Sequence, residues 1–158
     1  MSMRWAAALA MGLGTVLLAA SCGGSDSGNG GDASTTREVI EKVQAAYRNS
    51  DPEAYAALFA ADGRFEDYSG FGDRVQGRNE VANMYRLWFT HVVPPEHTYE
   101  SRILISDEHL AVVRWSDEWS EGGEPVRLEG IGVYEVENGE ITRDSEYYDS
   151  TPVKPPGD

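Results

Sequence analysis

The apolar residues of the central chain change from helical spacing to strand-like alternation at about residue 97. Before that point, two segments carry apolar side chains on one helical face: Val39, Val43, Ala46 and Tyr47 in the first, and Tyr55, Leu58 and Phe59 in the second. A capping box of Thr35 and Glu38 begins the first predicted helix, which ends near Asn49. Asp51 caps the second predicted helix, and Gly63 ends it.

A third helix is predicted after a short strand and a glycine-rich loop. The strand is "RFEDY" and the loop is "SGFGDRVQG". The helix starts at about Arg78 and ends before Pro94-Pro95, because proline cannot continue a helix. Its buried face is formed by Val81, Met84, Tyr85 and Trp88.

The remainder of the domain alternates as four strands, over residues 97–106, 110–120, 126–136 and 141–149. The segments between them, "DEH", "EGGEP" and "ENGE", are typical of hairpin turns, so the strands form an antiparallel meander. Helices followed by strands define an α+β fold. The predicted order is α-α-β-α-β-β-β-β, with three helices and an antiparallel sheet.

The middle two of these strands share one apolar face. Pairing across Gly122-Gly123 sets residue 121 opposite residue 124. Asp117 then lies opposite Leu128, and Trp115 lies opposite Gly130. The face that carries these residues is therefore predicted to be the inner one.

The last strand has no obvious apolar face, and its turn permits two registers. If Asn138-Gly139 is a two-residue turn with 137 opposite 140, the inward side chains are Arg143, Ser145 and Tyr147. If Gly139 takes the left-handed position of a three-residue turn with a bulge, they are Asp144, Glu146 and Tyr148. Asn-Gly serves both arrangements, so turn chemistry alone leaves the choice open.

The first 21 residues have the layout of a secretory signal peptide. An early cation, Arg4, precedes an apolar stretch that is too short for a comfortable membrane span. The run "LLAAS" before Cys22 resembles a bacterial lipoprotein box, in which the cysteine receives a lipid (palmitate) and becomes the N-terminus. An extracytoplasmic domain on a lipid anchor in the cell membrane is therefore expected; secretion after cleavage at Ala19-x-Ser21 is the alternative.

Two segments without core-forming residues flank the domain. Residues 22–34 carry the lipidated cysteine and a Gly/Ser-rich linker, and residues 152–158 form a proline-rich tail that we expect to be disordered. The folded domain is then 35–151. About 12 linker residues span roughly 20 Å on average, which would hold the domain just clear of a membrane surface.

Charge and motif content exclude several function classes. The chain has 27 acidic residues against 13 Lys and Arg, a net charge of -14, so the folded part is a poor partner for nucleic acid or an anionic membrane. A single cysteine forms no intramolecular disulfide. His91, His97 and His109 lack metal-ligand spacing, so we predict no metal site and interpret these histidines as solvated. No phosphate loop or nucleophile elbow occurs, and no cofactor is predicted.

Residues 36 to 149 resemble the nuclear transport factor two-like superfamily, in particular its SnoaL-like and limonene epoxide hydrolase branch. The resemblance lies in "AADGRFED", "GRNEV" and "GVYEVENGEI…EYYD", at family-like spacing. It implies a curved, conical sheet that is wrapped by the three helices and encloses a pocket, often in a homodimer formed through the sheet or its edge. It also implies that the acid before "YYD", Glu146, points into the pocket, which favours the bulged register.

The same resemblance nominates three carboxyl groups. Asp67 occupies the position of an Asn in the epoxide hydrolases, Asp117 that of an Asp, and Glu146 that of the Asp that acts as acid or base. The water-positioning Tyr of those enzymes is replaced here by Phe65, and an Arg by Trp115. Without that cation, burial among aromatic side chains should raise the pKa values of the acids.

These residues define the predicted site. Glu146 is the expected proton-transfer group and Asp117 its orienter, while the expected ligand contacts are Asp67, Trp88, Trp115, Trp119, Tyr134 and Tyr148. The competing interpretation is structural: carboxylates near a sheet rim are commonly solvated or bonded to Tyr hydroxyls, and tryptophans are commonly core residues. Gly130 and Gly132 either leave space for a ligand or allow the sheet to bend.

Three functions follow as hypotheses. The first is a tethered module that binds a small, mostly apolar ligand, and pocket acids without partners would also suit a cationic one. The second is an acid–base enzyme of the cyclase, isomerase or epoxide hydrolase kind that uses Glu146. The third is a dimeric interaction or adaptor domain that works through its sheet.

Overall fold

The computed structural model describes residues 33–69 and 73–149 of the 158-residue chain. The signal peptide, Cys22, nearly all of the linker and the tail lie outside the described residues. The elements in chain order are α1 Ala33–Arg48, α2 Pro52–Ala56, β1 Phe59–Asp67, β2 Arg74–Gln76, α3 Arg78–His91, β3 Thr98–Ser106, β4 Leu110–Glu121, β5 Glu124–Glu137 and β6 Glu140–Tyr148.

The strands form one sheet in the order β2-β1-β6-β5-β4-β3. The predicted α+β class and curved sheet are confirmed, with two differences. Strand β1 runs parallel to β6, so the sheet is not wholly antiparallel, and β2, inside the predicted glycine-rich loop, pairs with β1. The pairing of β1 with β6 joins residues about 80 positions apart in the sequence. Local sequence patterns do not contain information on such distant pairs.

The start of the first helix differs from the prediction. Helix α1 begins at Ala33, so the predicted cap Thr35 lies within the helix. The neighbouring Thr36 is fully buried, and its Oγ1 donates a hydrogen bond to the carbonyl oxygen of Glu108, 2.8 Å away. A long-range contact therefore fastens the first turn to the β3–β4 loop.

Helix α2 is shorter than its apolar spacing predicts. Asp51 caps it as expected, accepting a hydrogen bond from the Ala54 amide at 2.9 Å. The helix nevertheless ends at Ala56, and Phe59 begins β1 opposite Ile141 of β6. A β-carbon at Gly63 would lie 2.6 Å from the Ile141 carbonyl oxygen, so this glycine permits close strand approach rather than ending a helix.

Strand registers decide which side chains face the helices. The predicted β4–β5 register is confirmed, with Asp117 opposite Leu128 and Trp115 opposite Gly130. Between β5 and β6, Glu137 pairs with Glu140 across Asn138-Gly139, and both turn residues have positive φ, at 53° and 78°. The connection is thus a two-residue turn, not the predicted three-residue one.

A bulge farther along β6 then reverses the inward face. Val136 pairs with Ile141 but Glu135 pairs with Arg143, so Thr142 is the extra residue. Because side chains alternate between faces, one extra residue moves all later ones to the opposite face. Glu146 therefore points inward, as the bulged register predicted, although the bulge lies beyond the turn.

The helices cover the concave inner face and leave the outer face exposed. The core includes Val39, Ile40 and Val43 of α1, packed with Val113 and Val136 of the sheet.

No helix among the described residues is long and apolar enough to cross a membrane.

The outer sheet face mixes charged and aromatic groups. Tyr147 is 47% exposed and stacks on Tyr68 with ring centroids 4.8 Å apart, while Arg143 pairs with Glu66. This composition fits either a solvated surface or the polar dimer contact proposed in the third hypothesis.

Candidate functional site: an aromatic cavity with buried carboxyl groups

A cavity lies between the helices and the concave face of the sheet. About 40 Å³ of its space can be occupied by the centre of a water molecule. Its described lining consists of nine aromatic residues, three acids and one methionine: Tyr47, Tyr55, Phe65, Tyr85, Trp88, Tyr99, Trp115, Tyr134, Tyr148, Asp67, Asp73, Glu146 and Met84. No Lys, Arg or His occurs among these lining residues.

Glu146 projects from β6 into this cavity and is only 6% exposed. The Trp115 indole N–H donates to its Oε2 at 2.7 Å, and the Tyr134 hydroxyl donates to its Oε1 at 3.0 Å. Burial raises the pKa of Glu146 to about 7, although both of these hydrogen bonds favour the ionised form. The carboxyl group therefore changes charge near neutral pH.

Asp144 lies two residues before Glu146 on the same inner face and is fully buried. The Tyr55 hydroxyl donates to its Oδ2 at 2.8 Å and in turn accepts a hydrogen bond from the Tyr85 hydroxyl at 2.8 Å. Burial and the charge of Glu146 raise the pKa of Asp144 well above its usual range. Asp144 was not a predicted site residue, although the bulged register already placed it inward.

Asp67 is the second acid in the cavity wall and is 4% exposed. It ends β1 directly beside Glu146 in the parallel β1–β6 pair. Its Oδ2 accepts from the Tyr148 hydroxyl at 2.9 Å, and its Oδ1 accepts from the backbone amide of Ser69 at 2.6 Å. The parallel pairing thus brings two of the three predicted carboxyls to one cavity wall.

The predicted aromatic contacts divide into two groups. Four of the residues line the cavity, Trp88, Trp115, Tyr134 and Tyr148, whereas Trp119 does not. Trp119 lies farther along β4, beside Pro94 and Pro95 in a separate surface groove. Trp119 lies on the inner face of β4, as the alternation of the strand predicted, but this end of β4 extends beyond the cavity.

The two inner-face glycines make room for neighbouring side chains. A β-carbon at Gly130 would lie 2.5 Å from the Trp115 ring, and one at Gly132 would lie 2.7 Å from Oε1 of Glu146. Real β-carbons do not approach other atoms so closely. The space at both glycines is therefore used to seat the indole and the carboxyl group of the site itself.

Asp117 occupies a different environment from Glu146. It is fully buried, but it bonds His97 Nδ1 at 2.7 Å and the Tyr47 hydroxyl at 3.1 Å. Burial raises the pKa of Asp117, while these two partners oppose the rise. The carboxyl groups that adjoin Glu146 are thus Asp144 and Asp67, whereas the predicted orienter, Asp117, pairs with His97.

The interpretation of His97 as solvated is wrong. Its side chain is 1% exposed, and its Nε2 lies 3.3 Å from the Ser50 hydroxyl. A lone histidine at the start of a strand carries no sequence signal for this role, because Asp117 and Ser50 are its neighbours only in three dimensions.

Ser50, His97 and Asp117 contact one another in the order of a nucleophilic triad, but their surroundings are those of a helix cap. The backbone N–H groups of Ser50 and Asp51 donate to the carbonyls of Tyr47 and Ala46, which closes the end of α1. These amides are therefore unable to stabilise an oxyanion beside Ser50. The network instead holds Tyr47, whose hydroxyl also accepts from the Trp88 indole at 2.9 Å, in the cavity wall.

The family model of the SnoaL-like domain matches residues 40–144, so the chain belongs to the SnoaL-like domain family. Among the described residues, no group of three or more His, Cys, Asp and Glu side chains is arranged to hold a metal ion. No curated protein is significantly similar to the chain.

Solved structures agree on the fold. A hypothetical protein from Catenulispora acidiphila with a ketosteroid isomerase-like fold, in complex with trimethylamine, is 21% identical at a TM-score of 0.63, covering 75% of this chain and 90% of that one. An epoxide hydrolase from M. tuberculosis, of the limonene epoxide hydrolase-like type, is 24% identical at 0.56, with 75% and 84% covered. An NTF2-like protein of unknown function from Burkholderia pseudomallei is 21% identical at 0.63, with 73% and 91% covered.

Proposed function

We propose that the cavity binds a small organic ammonium ion. The observation that carries this proposal is the lining: nine aromatic rings and three carboxyl groups, with no Lys, Arg or His among the described lining residues. Aromatic faces attract cations, most strongly where water is excluded, and buried carboxylates without a basic partner favour a positive ligand. Methyl groups on the ammonium would match the apolar surface between the rings.

The free space supports a small ligand. A water needs about 10–15 Å³ of space for its centre, so 40 Å³ corresponds to roughly three waters, or a ligand group of about three to five heavy atoms. A terpene-sized epoxide would require the aromatic walls to separate. Phe65 and Trp115, in place of the Tyr and Arg that the resemblance implies, also argue against the epoxide hydrolase mechanism.

Tetramethylammonium is the test probe, and tert-butanol is its uncharged isostere. In NMR titrations of the full-length protein, tetramethylammonium should bind at least 10-fold more tightly, with shifts at the indole N–H signals of Trp88 and Trp115. A ceiling of about 1.5 kcal/mol per heavy atom sets the Kd no lower than roughly 3 µM. Equal binding of the two probes, or no binding of either, would overturn the proposal.

A second candidate is acid–base catalysis, favoured by one observation. The pKa of Glu146 is raised to about 7, the range in which a carboxyl both accepts and donates protons. The Tyr134 hydroxyl and the Trp115 indole hold its orientation. Turnover that Glu146→Gln abolishes while ligand affinity stays within a few-fold would establish this role; a bound ligand recovered unchanged argues for binding alone.

We also propose that the domain is extracytoplasmic and tethered to the cell membrane by a lipid on Cys22. The support is the leader, the "LLAASC" sequence and the Gly/Ser-rich linker. Metabolic labelling with an alkyne analogue of palmitate should mark the wild-type protein in the membrane fraction and fail to mark Cys22→Ser. Unlabelled wild-type protein in the medium would support the secreted alternative instead.

A further inference from the structure

We infer that the ligand carries an alkyl chain, which lies in a surface groove beside α3 while its ammonium head occupies the cavity. This inference rests on the proposed function and extends it to a substrate class, the alkylammonium ions. The groove offers about 370 Å³ for the centres of water molecules, roughly nine times the space of the cavity. The cavity therefore provides only a small part of the combined volume of the cavity and the groove.

The groove and the cavity adjoin each other and share part of their walls. Three described residues, Asp73, Met84 and Trp88, line both of them. The indole N–H of Trp88 donates to the Tyr47 hydroxyl in the cavity wall, and Trp88 also lines the groove. A chain that leaves the cavity past Trp88 and Met84 would enter the groove directly.

The groove has the composition that an alkylammonium requires. Its floor and walls include four aliphatic or thioether side chains, Val75, Met84, Leu87 and Val92. Leu87 is 60% exposed, the largest exposed fraction among the large apolar side chains of the described residues. The described polar lining consists of Asp73, Glu80, Asn83 and His91. Its two carboxyl groups and the absence of Lys and Arg from the described lining disfavour a fatty acid carboxylate.

Leu87 lies on the solvent side of α3, where a single exposed leucine would need no explanation. Its position in a groove that adjoins the cavity distinguishes it from Leu104, which is 48% exposed on the edge strand β3. The two leucines therefore form a matched pair: similar exposure and residue type, but only one in the groove.

A series of trimethylammonium ions with methyl, butyl, hexyl and octyl chains tests the inference on the full-length protein. Burying one methylene completely gives about a fourfold gain in affinity, and a half-open groove should give about twofold. Hexyltrimethylammonium should therefore bind about 30-fold more tightly than tetramethylammonium. If the lipid proposed on Cys22 requires detergent to keep the full-length protein in solution, the partition of each ammonium ion into the detergent is measured without protein and subtracted.

Leu87→Ser should weaken hexyltrimethylammonium binding about 3- to 10-fold and leave tetramethylammonium binding unchanged, while Leu104→Ser changes neither. Affinity that does not depend on chain length, or equal effects of the two serine variants, would overturn the inference while leaving the proposed function intact. If tetramethylammonium itself fails to bind, the proposed function fails, and the inference with it.

Discussion

Replacing His97 by alanine is expected to reduce the free energy of unfolding by about 3–5 kcal/mol at pH 7. The substitution leaves the Asp117 carboxyl fully buried and removes its 2.7 Å partner, so that the Tyr47 hydroxyl and the backbone amide of Glu118 remain as its partners. Burial already raises the pKa of Asp117, and loss of His97 raises it further, so the carboxyl takes up a proton more readily. The destabilisation should therefore grow as the pH rises.

Urea unfolding of the full-length protein at several pH values measures this effect. His91→Ala removes an exposed histidine and should change the free energy of unfolding by less than about 0.5 kcal/mol. Adding Asp117→Asn to His97→Ala removes the buried charge and should restore about 1–2 kcal/mol. A loss below about 1 kcal/mol for His97→Ala, with no recovery in the double variant, would show that the pair is not important for stability.

Glu146→Gln is expected to become progressively more stable than the wild type as the pH rises from about 4.5 to 7. The pKa of Glu146 is raised from 4.5 to about 7, so the folded state holds a proton that the unfolded chain releases in this range. The resulting stabilisation is present in full below pH 4.5 and is lost as the pH approaches 7. At about 1.36 kcal/mol per pKa unit, the wild type loses about 3 kcal/mol across the window.

The Glu146→Gln variant should fold, because the introduced amide keeps a carbonyl oxygen for the Trp115 indole and places its NH₂ group at the Tyr134 hydroxyl. The difference between the two proteins, rather than either curve alone, is the quantity to measure, because Asp117 and Asp144 also have raised pKa values. Glu137→Gln, at an exposed position, is the matched control and should differ from the wild type by less than about 0.5 kcal/mol at every pH. A difference between Glu146→Gln and the wild type that does not vary with pH would contradict the assignment.

The same ionisation links stability to the proposed ligand. A cation in the cavity favours ionised Glu146, so ammonium binding should relieve the instability that the buried charge causes above about pH 7. The site would then be least stable when empty and charged. This coupling gives a physical reason for a protein to keep a carboxyl group with a raised pKa among aromatic rings, whether or not it also transfers protons.

The parts of the fold that were predicted correctly depend on neighbours along the chain. Helix α3 starts at Arg78 and ends before Pro94, as its periodicity and proline indicate. The β4–β5 register follows from a turn at Gly122-Gly123 and two alternating strands. In both cases the interacting residues lie close together in the sequence, so the local pattern of apolar and turn residues is enough to predict the structure.

The incorrect predictions lie where distant partners compete with local preference. Phe59 has helical spacing to Tyr55, yet it pairs with Ile141 and starts β1. Strand β2 exists only because β1 lies beside it. Local propensities amount to fractions of a kcal/mol per residue, so they are outweighed by burial of a phenylalanine and a ladder of backbone hydrogen bonds.

By itself the sequence determined an acidic, helix-then-strand domain with a family resemblance and with Glu146 among its inward candidates. Only the tertiary structure decided that Thr142 is bulged, that Asp144 and Asp67 adjoin Glu146, and that Asp117 belongs to His97. The reason is physical: alternation and composition record which residues avoid water, whereas the pairing of buried charges depends on where nonadjacent strands and helices meet.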